Sequence, residues 1–395
     1  MDIFKKCIDF TAVKVAIEQG YYPYFIPLTE SEGTEVEVRG QRLIMCGSNN
    51  YLGLTSHPLV REAGVAAIER FGTSCTGSRF LNGNLELHEQ LEAELADWVG
   101  KRAALVFSTG MQANLGTVSA LVGRGDIVVL DKDDHASIVD GARLGYGTME
   151  RYRHNDMTHL ENVLKGLPED RGILVVVDGV FSMEGDLARL PELTTLCRQY
   201  GARLMVDDAH GVGVTGGGRG TAAHFGLTDE VDIIMSTFSK AFASLGGFVA
   251  GDADVISYVK HHARSLIFSA SPTPASTACA LASLQVMRTE PERIERVNRS
   301  AARMRDAFRA MGFDTGNSVT PIVPIVIGDD QRTFLTWRLL LESGVFTNPV
   351  ISPAVLPGRQ MLRTSYMATH TDAQLDRVLE VFAAVGRQVG LIKAV

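Results

Sequence analysis

The stretch Leu204-Met205-Val206-Asp207-Asp208-Ala209-His210 decides the fold, together with a second apolar run, Val231 to Met235, that leads into Ser236-Thr237-Phe238-Ser239-Lys240. Short uncharged runs that stop at a polar cluster read as buried strands. The first run ends in a carboxylate. The second passes into a lysine flanked by hydroxyls. A buried carboxylate at one strand end and a lysine just past the next are the parts that hold an aldehyde as a Schiff base.

Outward from this pair, the runs Ala103–Phe107, Ile127–Leu130, Ile173–Val177, Arg203–Val206, Val231–Met235 and Gly247–Ala250 alternate with segments of helical length, Met111–Leu121, Ala136–Leu144 and Pro191–Tyr200. Such alternation predicts an α/β fold, a mostly parallel sheet with helices on both faces. The last run follows its predecessor without a clear helix, which allows an antiparallel placement. After residue 290 the texture changes. A charged helix from Glu290 to Met311, a run Ile322–Ile327, a helix from Gln331 to Ser343 and a closing helix from Asp372 predict a smaller α+β domain. The first hundred residues hold a helix, a hairpin about Arg39-Gly40 and two further helices. The expected division is an N-terminal arm over 1–60, a large cofactor-binding domain over 61–288 and a small domain over 289–395.

Ligands collect at the carboxyl ends of strands in open α/β sheets. Polar residues cluster there: Ser108 to Gln112, Asp178 and Ser182, Asp207 and His210, Thr237 and Lys240. Ser108-Thr109-Gly110-Met111-Gln112 puts two hydroxyls and a glycine at a strand-to-helix turn, where free N–H groups and the helix dipole suit a phosphate. An ordinary helix cap would need only Ser108 or Thr109. Asp207 continues its apolar run, and Asp208 reads as a cap of the following turn. Lys240 has Phe238, Ala241, Phe242, Ala243 and Leu245 around it, an unusual setting for a surface lysine; desolvation there would lower its pKa. His135 starts a helix where an imidazole could stack on an aromatic cofactor, or Asp134 could simply cap that helix. Gly216 to Gly220 lacks dinucleotide spacing and reads as a flexible surface loop. Together the lysine, the carboxylate and the phosphate turn imply pyridoxal 5'-phosphate.

Composition narrows the classes. The 395 residues are enough for two or three domains, on a soft prior of about 150 residues each. Net charge is −8 with a pI near 5.7, so no global basic field gathers nucleic acid. No run approaches the roughly 18 apolar residues of a membrane span, and the N-terminus lacks the apolar core of a leader. Five scattered cysteines predict reduced thiols and a cytoplasmic setting. The histidines show no metal-ligand spacing, and His261-His262 reads as an exposed helix surface.

Asp207-Asp208-Ala209-His210-Gly211, Thr237-Phe238-Ser239-Lys240, Asp178-Gly179-Val180-Phe181-Ser182-Met183-Glu184-Gly185-Asp186 and Asp134-His135-Ala136-Ser137 together resemble the α-oxoamine synthases. That resemblance implies fold type I of the pyridoxal phosphate enzymes, with a mostly parallel seven-stranded sheet and a smaller C-terminal α+β domain. Within the family, Thr76-Gly77-Ser78-Arg79-Phe80-Leu81-Asn82-Gly83, Ser48 to Leu54 and Met367 to Thr371 are similar to soluble bacterial members that condense L-serine with palmitoyl-CoA. The implied reaction gives 3-ketodihydrosphingosine, CoA and carbon dioxide, the first step of sphingolipid synthesis. Two alternatives stand beside it: glycine or alanine with another acyl thioester, or a silent partner subunit, against which the retained Lys240, Asp207 and His210 argue.

By the same resemblance Lys240 forms the internal aldimine and moves protons at the α-carbon. Asp207 pairs with the ring nitrogen, His210 with the ring oxygen, and His135 stacks on the ring. Ser108, Gly110, Met111, Thr237, Ser239 and Ser269 of a second subunit are implied around the phosphate, with Ser182 also at the cofactor. Asn49 and Arg363 are the implied carboxylate clamp, with Ser78 near the substrate. A homodimer and a peripheral contact with membrane belong to the same expectation. Ile351-Ser352-Pro353-Ala354-Val355-Leu356-Pro357 departs from the Arg-Pro-Pro-Ala-Thr-Pro of the best-known members and has no arginine.

Overall fold

The computed structural model describes residues 2–393. Its first strands, β1 (Glu30–Glu32), β2 (Glu35–Val38) and β3 (Gln41–Met45), form an antiparallel set. Arg39 and Gly40 turn β2 into β3 with φ of 52° and 80°, the left-handed pair that a two-residue hairpin needs. The two short helices before them, Lys5–Ile8 and Ala12–Glu18, have no buried residue.

The central sheet takes β4 (Ala103–Phe107), β5 (Ile127–Asp131), β6 (Thr148–Tyr152), β7 (Ile173–Asp178), β8 (Arg203–Asp207), β9 (Ile233–Thr237) and β10 (Gly247–Gly251) in the order β4-β10-β9-β8-β7-β5-β6. Pairing is parallel from β9 through β6, while β10 runs antiparallel to both β4 and β9. Val128, Val129, Val175, Val176 and Val206 are fully buried, which follows from helices on both faces and explains the unbroken apolar runs. One face packs into a large cluster with Leu91, Leu95, Phe238 and Phe248, the other into a second with Phe107, Ile138 and Val259.

Four strands reach one residue further than their apolar runs, to Asp131, Asp178, Asp207 and Gly251. The fifth begins two residues late, at Ile233, and ends on Thr237. β6 has no apolar run: it is an edge strand whose Thr148, Glu150 and Arg151 face solvent while Tyr152 is buried.

The C-terminal part is a smaller α+β domain. β11 (Ile322–Val326), β13 (Asn348–Val350) and β14 (Met361–Ser365) make a three-stranded antiparallel sheet, and the helices Glu292–Met311, Asp330–Glu342 and Asp372–Gln388 pack on it. β12 (Val345–Phe346) instead pairs in parallel with β3, joining the N-terminal strands to this lobe.

Gly216 to Gly220 is no loose surface loop. Gly218 is buried, its carbonyl accepts the Trp98 indole N–H at 2.9 Å, and a Cβ there would meet Ile294 and Trp98 at 2.6 and 3.0 Å. The glycines are demanded by packing and by left-handed φ at all of Gly216, Gly217, Gly218 and Gly220. His261 and His262 lie exposed on a helix.

Candidate active site

A cavity of about 290 Å³ opens at the carboxyl ends of the parallel strands. Lys240, three residues past β9, lines it together with Asp207 at the end of β8, Asp178 at the end of β7 and His135 at the start of the helix after β5. Gly110, Met111, Ser182, His210, Thr237 and Ser239 complete the expected set in its wall. The lysine is half-buried. Burial pushes its pKa down to about 8, although Asp207 and Asp178 pull the other way and only Arg363 adds to the fall. A large part of its amine is therefore neutral near pH 8, the form that attacks a carbonyl.

Asp207 is held from two sides. The Asn114 amide donates to Oδ2 at 2.6 Å, and the backbone N–H of Ala209 donates to Oδ1 at 3.0 Å. Asn114 also donates to Ser137 Oγ at 2.8 Å, and its own Oδ1 is buried without a partner. Asp178 stands in register beside Asp207. Burial, and then the Asp207 charge, hold the Asp178 carboxyl well above the ordinary aspartate range, and its Oδ1 is also unpartnered. Two adjacent carboxyl groups face one cavity.

His210 is buried. Its pKa lies well below the ordinary value because of burial, followed by the Lys240, Arg363 and His135 charges. Its Nδ1 is 2.7 Å from the Tyr51 hydroxyl, which lies 3.4 Å from Asn49 Oδ1. The shorter contact takes the phenolic proton, so Nε2 of a neutral imidazole carries the hydrogen. His135 caps its own helix, with Nδ1 accepting from Ser137 N at 3.3 Å and lying 2.7 Å from Ser137 Oγ. Asp134 does not cap that helix; its carboxylate accepts from the backbone of Asp131 and Asp178. Asp208 does more than cap a turn. It is fully buried, accepts from both the N–H and the hydroxyl of Thr221, and burial raises its pKa to about 7.

The turn after β4 carries an ordinary helix cap. Thr109 caps the twelve-residue helix Gly110–Leu121, accepting from Gln112 N at 3.1 Å. A Cβ on Gly110 would stand 2.8 Å from both Cβ and Oγ1 of Thr237, so the glycine keeps a cradle open between helix and β9. Ser239 Oγ is 2.9 Å from Thr237 Oγ1.

Five expected residues lie outside the cavity wall. Ser108 donates to the Ala270 carbonyl, Ser269 accepts from the Gln112 amide at 2.7 Å, and Ser78 Oγ is buried without a partner. Asn49 accepts from Arg363 NH2 at 2.9 Å, and Arg363 Nε donates to the Ser182 carbonyl at 2.6 Å. The two residues expected as a carboxylate clamp are thus in contact, with Tyr51 between Asn49 and His210. Tyr51 and Asn114 were not among the expected site residues, and Asp178 was expected only as part of the polar cluster at the strand ends. Asp178 ends an apolar run as Asp207 does, which is a usable signal; Asn114 sits mid-helix and Tyr51 far upstream, and neither carries one.

The residues present fit a pyridine aldehyde phosphate: an amine of lowered pKa, a fixed carboxylate, a neutral imidazole donor and an anion cradle around one cavity with unsatisfied polar atoms. Residues 42–382 match the aminotransferase class I and II family. The chain belongs to that family. It is 50% identical over 380 residues to a serine palmitoyltransferase of Sphingobacterium spiritivorum, covering 96% of this chain and 95% of the relative. It is 45% identical over 381 residues to an 8-amino-7-oxononanoate synthase of Geobacter sulfurreducens, covering 95% and 97%. Among solved structures, a serine palmitoyltransferase variant from S. paucimobilis with a bound PLP–myriocin aldimine superposes with a TM-score of 0.95 at 37% identity, over 99% of this chain and 100% of that one. The fold is therefore the type I fold of pyridoxal phosphate enzymes, as the motifs implied.

Proposed function

We propose that the chain is a pyridoxal phosphate enzyme that condenses L-serine with a long-chain acyl-CoA, palmitoyl-CoA, to 3-ketodihydrosphingosine with loss of CoA and carbon dioxide. The carrying observation is the half-buried Lys240, with a pKa near 8, set between Asp207 and the phosphate turn. The serine palmitoyltransferase relatives, at about half identity over nearly the whole chain, support the choice of substrates.

When bound, the cofactor supplies an electron sink for negative charge at the amino-acid α-carbon. In this reading Gly110, Met111, Thr237 and Ser239 hold its phosphate, Asp207 its ring nitrogen and His210 Nε2–H its ring oxygen, while His135 covers one ring face. Lys240 would hold the cofactor at its aldehyde carbon and, once the serine amine takes that place, would be free to move the proton at the serine α-carbon. Arg363 and Asn49 grip the serine carboxylate, for which a guanidinium fork is suited. His135 donates to the thioester oxygen as the acyl group arrives.

A homodimer completes the proposal, with Ser269 of a second copy at the phosphate turn, and Ser108 and Ser78 of the same chain at its cofactor and its substrate. Ser78 Oγ, left unpartnered inside one chain, supports that assignment. The division into an arm over 1–60, a large domain over 61–288 and a small domain over 289–395 belongs to the same reading. So does a cytoplasmic setting, supported by five free cysteines. Among the described residues no helix is long and apolar enough to cross a membrane. Peripheral contact with a lipid surface is supported by the exposed Ile3, Phe4, Ile8 and Phe10.

Product analysis tests the reading. Purified protein with the cofactor, L-serine and palmitoyl-CoA is expected to release CoA and a ketosphingoid base. Absence of that base at saturating substrate, with product from alanine or glycine instead, would transfer the protein to another branch of the same chemistry.

A further inference from the structure

His154 follows the edge strand β6 and lies outside the cavity wall, yet its ring joins two carboxylates. Nδ1 is 3.1 Å from Asp131 Oδ1, and Nε2 is 3.0 Å from Asp186 Oδ2; Asp133 Oδ2 stands 3.9 Å from Nδ1. Ionised carboxylates only accept, so both ring nitrogens donate and the ring is an imidazolium. Burial works against that charge, but the hydrogen bonds to Asp131 and Asp186 and then their charges outweigh it and raise the pKa to about 10. The ring also meets Phe181 edge-on at 4.3 Å.

Asp186 belongs to a hairpin that leaves the end of β7. Phe181 N donates to Asp186 O at 3.0 Å, Ala188 N to Gly179 O at 3.0 Å, and Val180 bridges Leu187. Asn155 reinforces its base, donating to Asp186 Oδ2 at 2.9 Å and to the Leu187 carbonyl at 3.0 Å. The tip reaches the C-terminal lobe. There the Ser182 carbonyl takes Arg363 Nε at 2.6 Å, Glu184 takes Arg359 at 2.7 Å, and the Gly185 carbonyl takes the Thr320 hydroxyl at 2.9 Å. The hairpin is the piece of the large domain that aims the arginine of the small one.

We propose that His154 is a positioning residue for amino-acid binding: by joining Asp131 to Asp186 it fixes the hairpin whose Ser182 carbonyl orients Arg363. The inference rests on the reading of Arg363 as the carboxylate clamp. It assigns His154 no contact with substrate or cofactor. Loss of the bridge frees the hairpin base, and the guanidinium loses its aim while its charge remains. Misplacement of a binding group by about 1 Å can cost on the order of a hundredfold.

The test compares His154→Gln, Asp186→Asn, their double variant and Arg363→Ala as holoenzymes. L-serine is titrated against the visible band of the lysine-bound cofactor, and KM is measured for serine and for palmitoyl-CoA. Both single variants are expected to weaken serine binding and raise its KM roughly ten- to hundredfold, with KM for palmitoyl-CoA unchanged and the cofactor band intact. The double variant should be no worse than the worse single one, because His154→Gln removes the charged bridge and Asp186→Asn takes the charge from its other end. Arg363→Ala should weaken serine binding at least as much. Parent-like serine affinity in both single variants, beside a defective Arg363→Ala, overturns the positioning role alone. Parent-like affinity in Arg363→Ala overturns the clamp reading itself. Equal loss for both substrates, with lost cofactor, marks His154 as merely structural and also overturns the proposal. Should His154→Gln fail to fold, the isosteric Asp186→Asn decides.

Discussion

The Tyr51 hydroxyl lies 2.7 Å from His210 Nδ1, and both side chains are buried. A phenol from the N-terminal segment thereby sets the tautomer of an imidazole at the end of a central strand. Tyr51→Phe keeps the ring and removes the proton donor, leaving Nδ1 buried and unpaired. An unsatisfied buried group costs about 1–3 kcal/mol. The variant is expected to melt earlier and to lose roughly tenfold in kcat/KM, with a shifted cofactor absorption. Turnover and spectrum identical to the parent would refute Tyr51 as the group that orients His210.

Lys240→Ala should abolish both the visible band of the lysine-bound cofactor and turnover. Absorption spectroscopy and CoA release measure the two separately. Retained turnover would remove Lys240 from the role given to it.

The lowered pKa of Lys240 makes a pH prediction with a definite sign. Burial brings it from 10.5 to about 8 in the folded protein, so between these values the unfolded chain binds more protons. Stability from this group is present above 10.5, declines through the window and is lost as pH falls through about 8. In cofactor-free protein, the difference in urea midpoint between the parent and Lys240→Met should therefore move in favour of the parent as pH rises from 8 to 10. Cofactor capture by the parent should accelerate as pH rises through about 8. A flat difference and a flat rate would contradict a desolvated lysine.

Gly110→Ala tests the phosphate cradle. Its Cβ would lie 2.8 Å from Thr237 Cβ and Oγ1, closer than side chains approach. Cofactor affinity is expected to fall by at least tenfold, about 1.4 kcal/mol, read by equilibrium titration of the apo-protein. Unchanged affinity would place the phosphate elsewhere.

Asn114→Leu tests the hold on Asp207. The 2.6 Å bond to Oδ2 disappears and the Asp207 carboxylate loses a buried donor. Hydrogen bonds to charged groups contribute about 1.5–3 kcal/mol. Cofactor binding should weaken, kcat fall and the apo-protein melt earlier, because the bonds Asn114 donates to Asp207 and to Ser137 are both lost.

Most of the central sheet was legible because its strands are buried on both faces, so that Val128 to Leu130 or Leu204 to Val206 appear as unbroken apolar runs. β6 was hidden for the opposite reason: as an edge strand it keeps only Tyr152 inside. Lys240, Asp207 and Thr237 were readable because chemistry at strand ends interrupts those runs. Asn114, Tyr51 and His154 were not, since each acts through a partner distant in sequence and nothing local marks it. The glycines from 216 to 220 misled because close packing by Trp98 and Ile294 leaves the same composition as looseness.

The pairing of β3 with β12 has a consequence for how the protein comes to life. Ile44 and Met45 leave the ribosome about 300 residues before Val345 and Phe346, their partners in the sheet. At roughly 5–20 residues per second, that is a wait of tens of seconds with an open strand edge. The central sheet, whose strands all lie between 103 and 251, can close in the meantime. Asn49 meets Arg363 only after β14 emerges. On the proposed roles, the grip on the amino acid is therefore born last, and a nascent chain stalled before residue 361 would hold the proposed cofactor cradle without the Asn49–Arg363 pair.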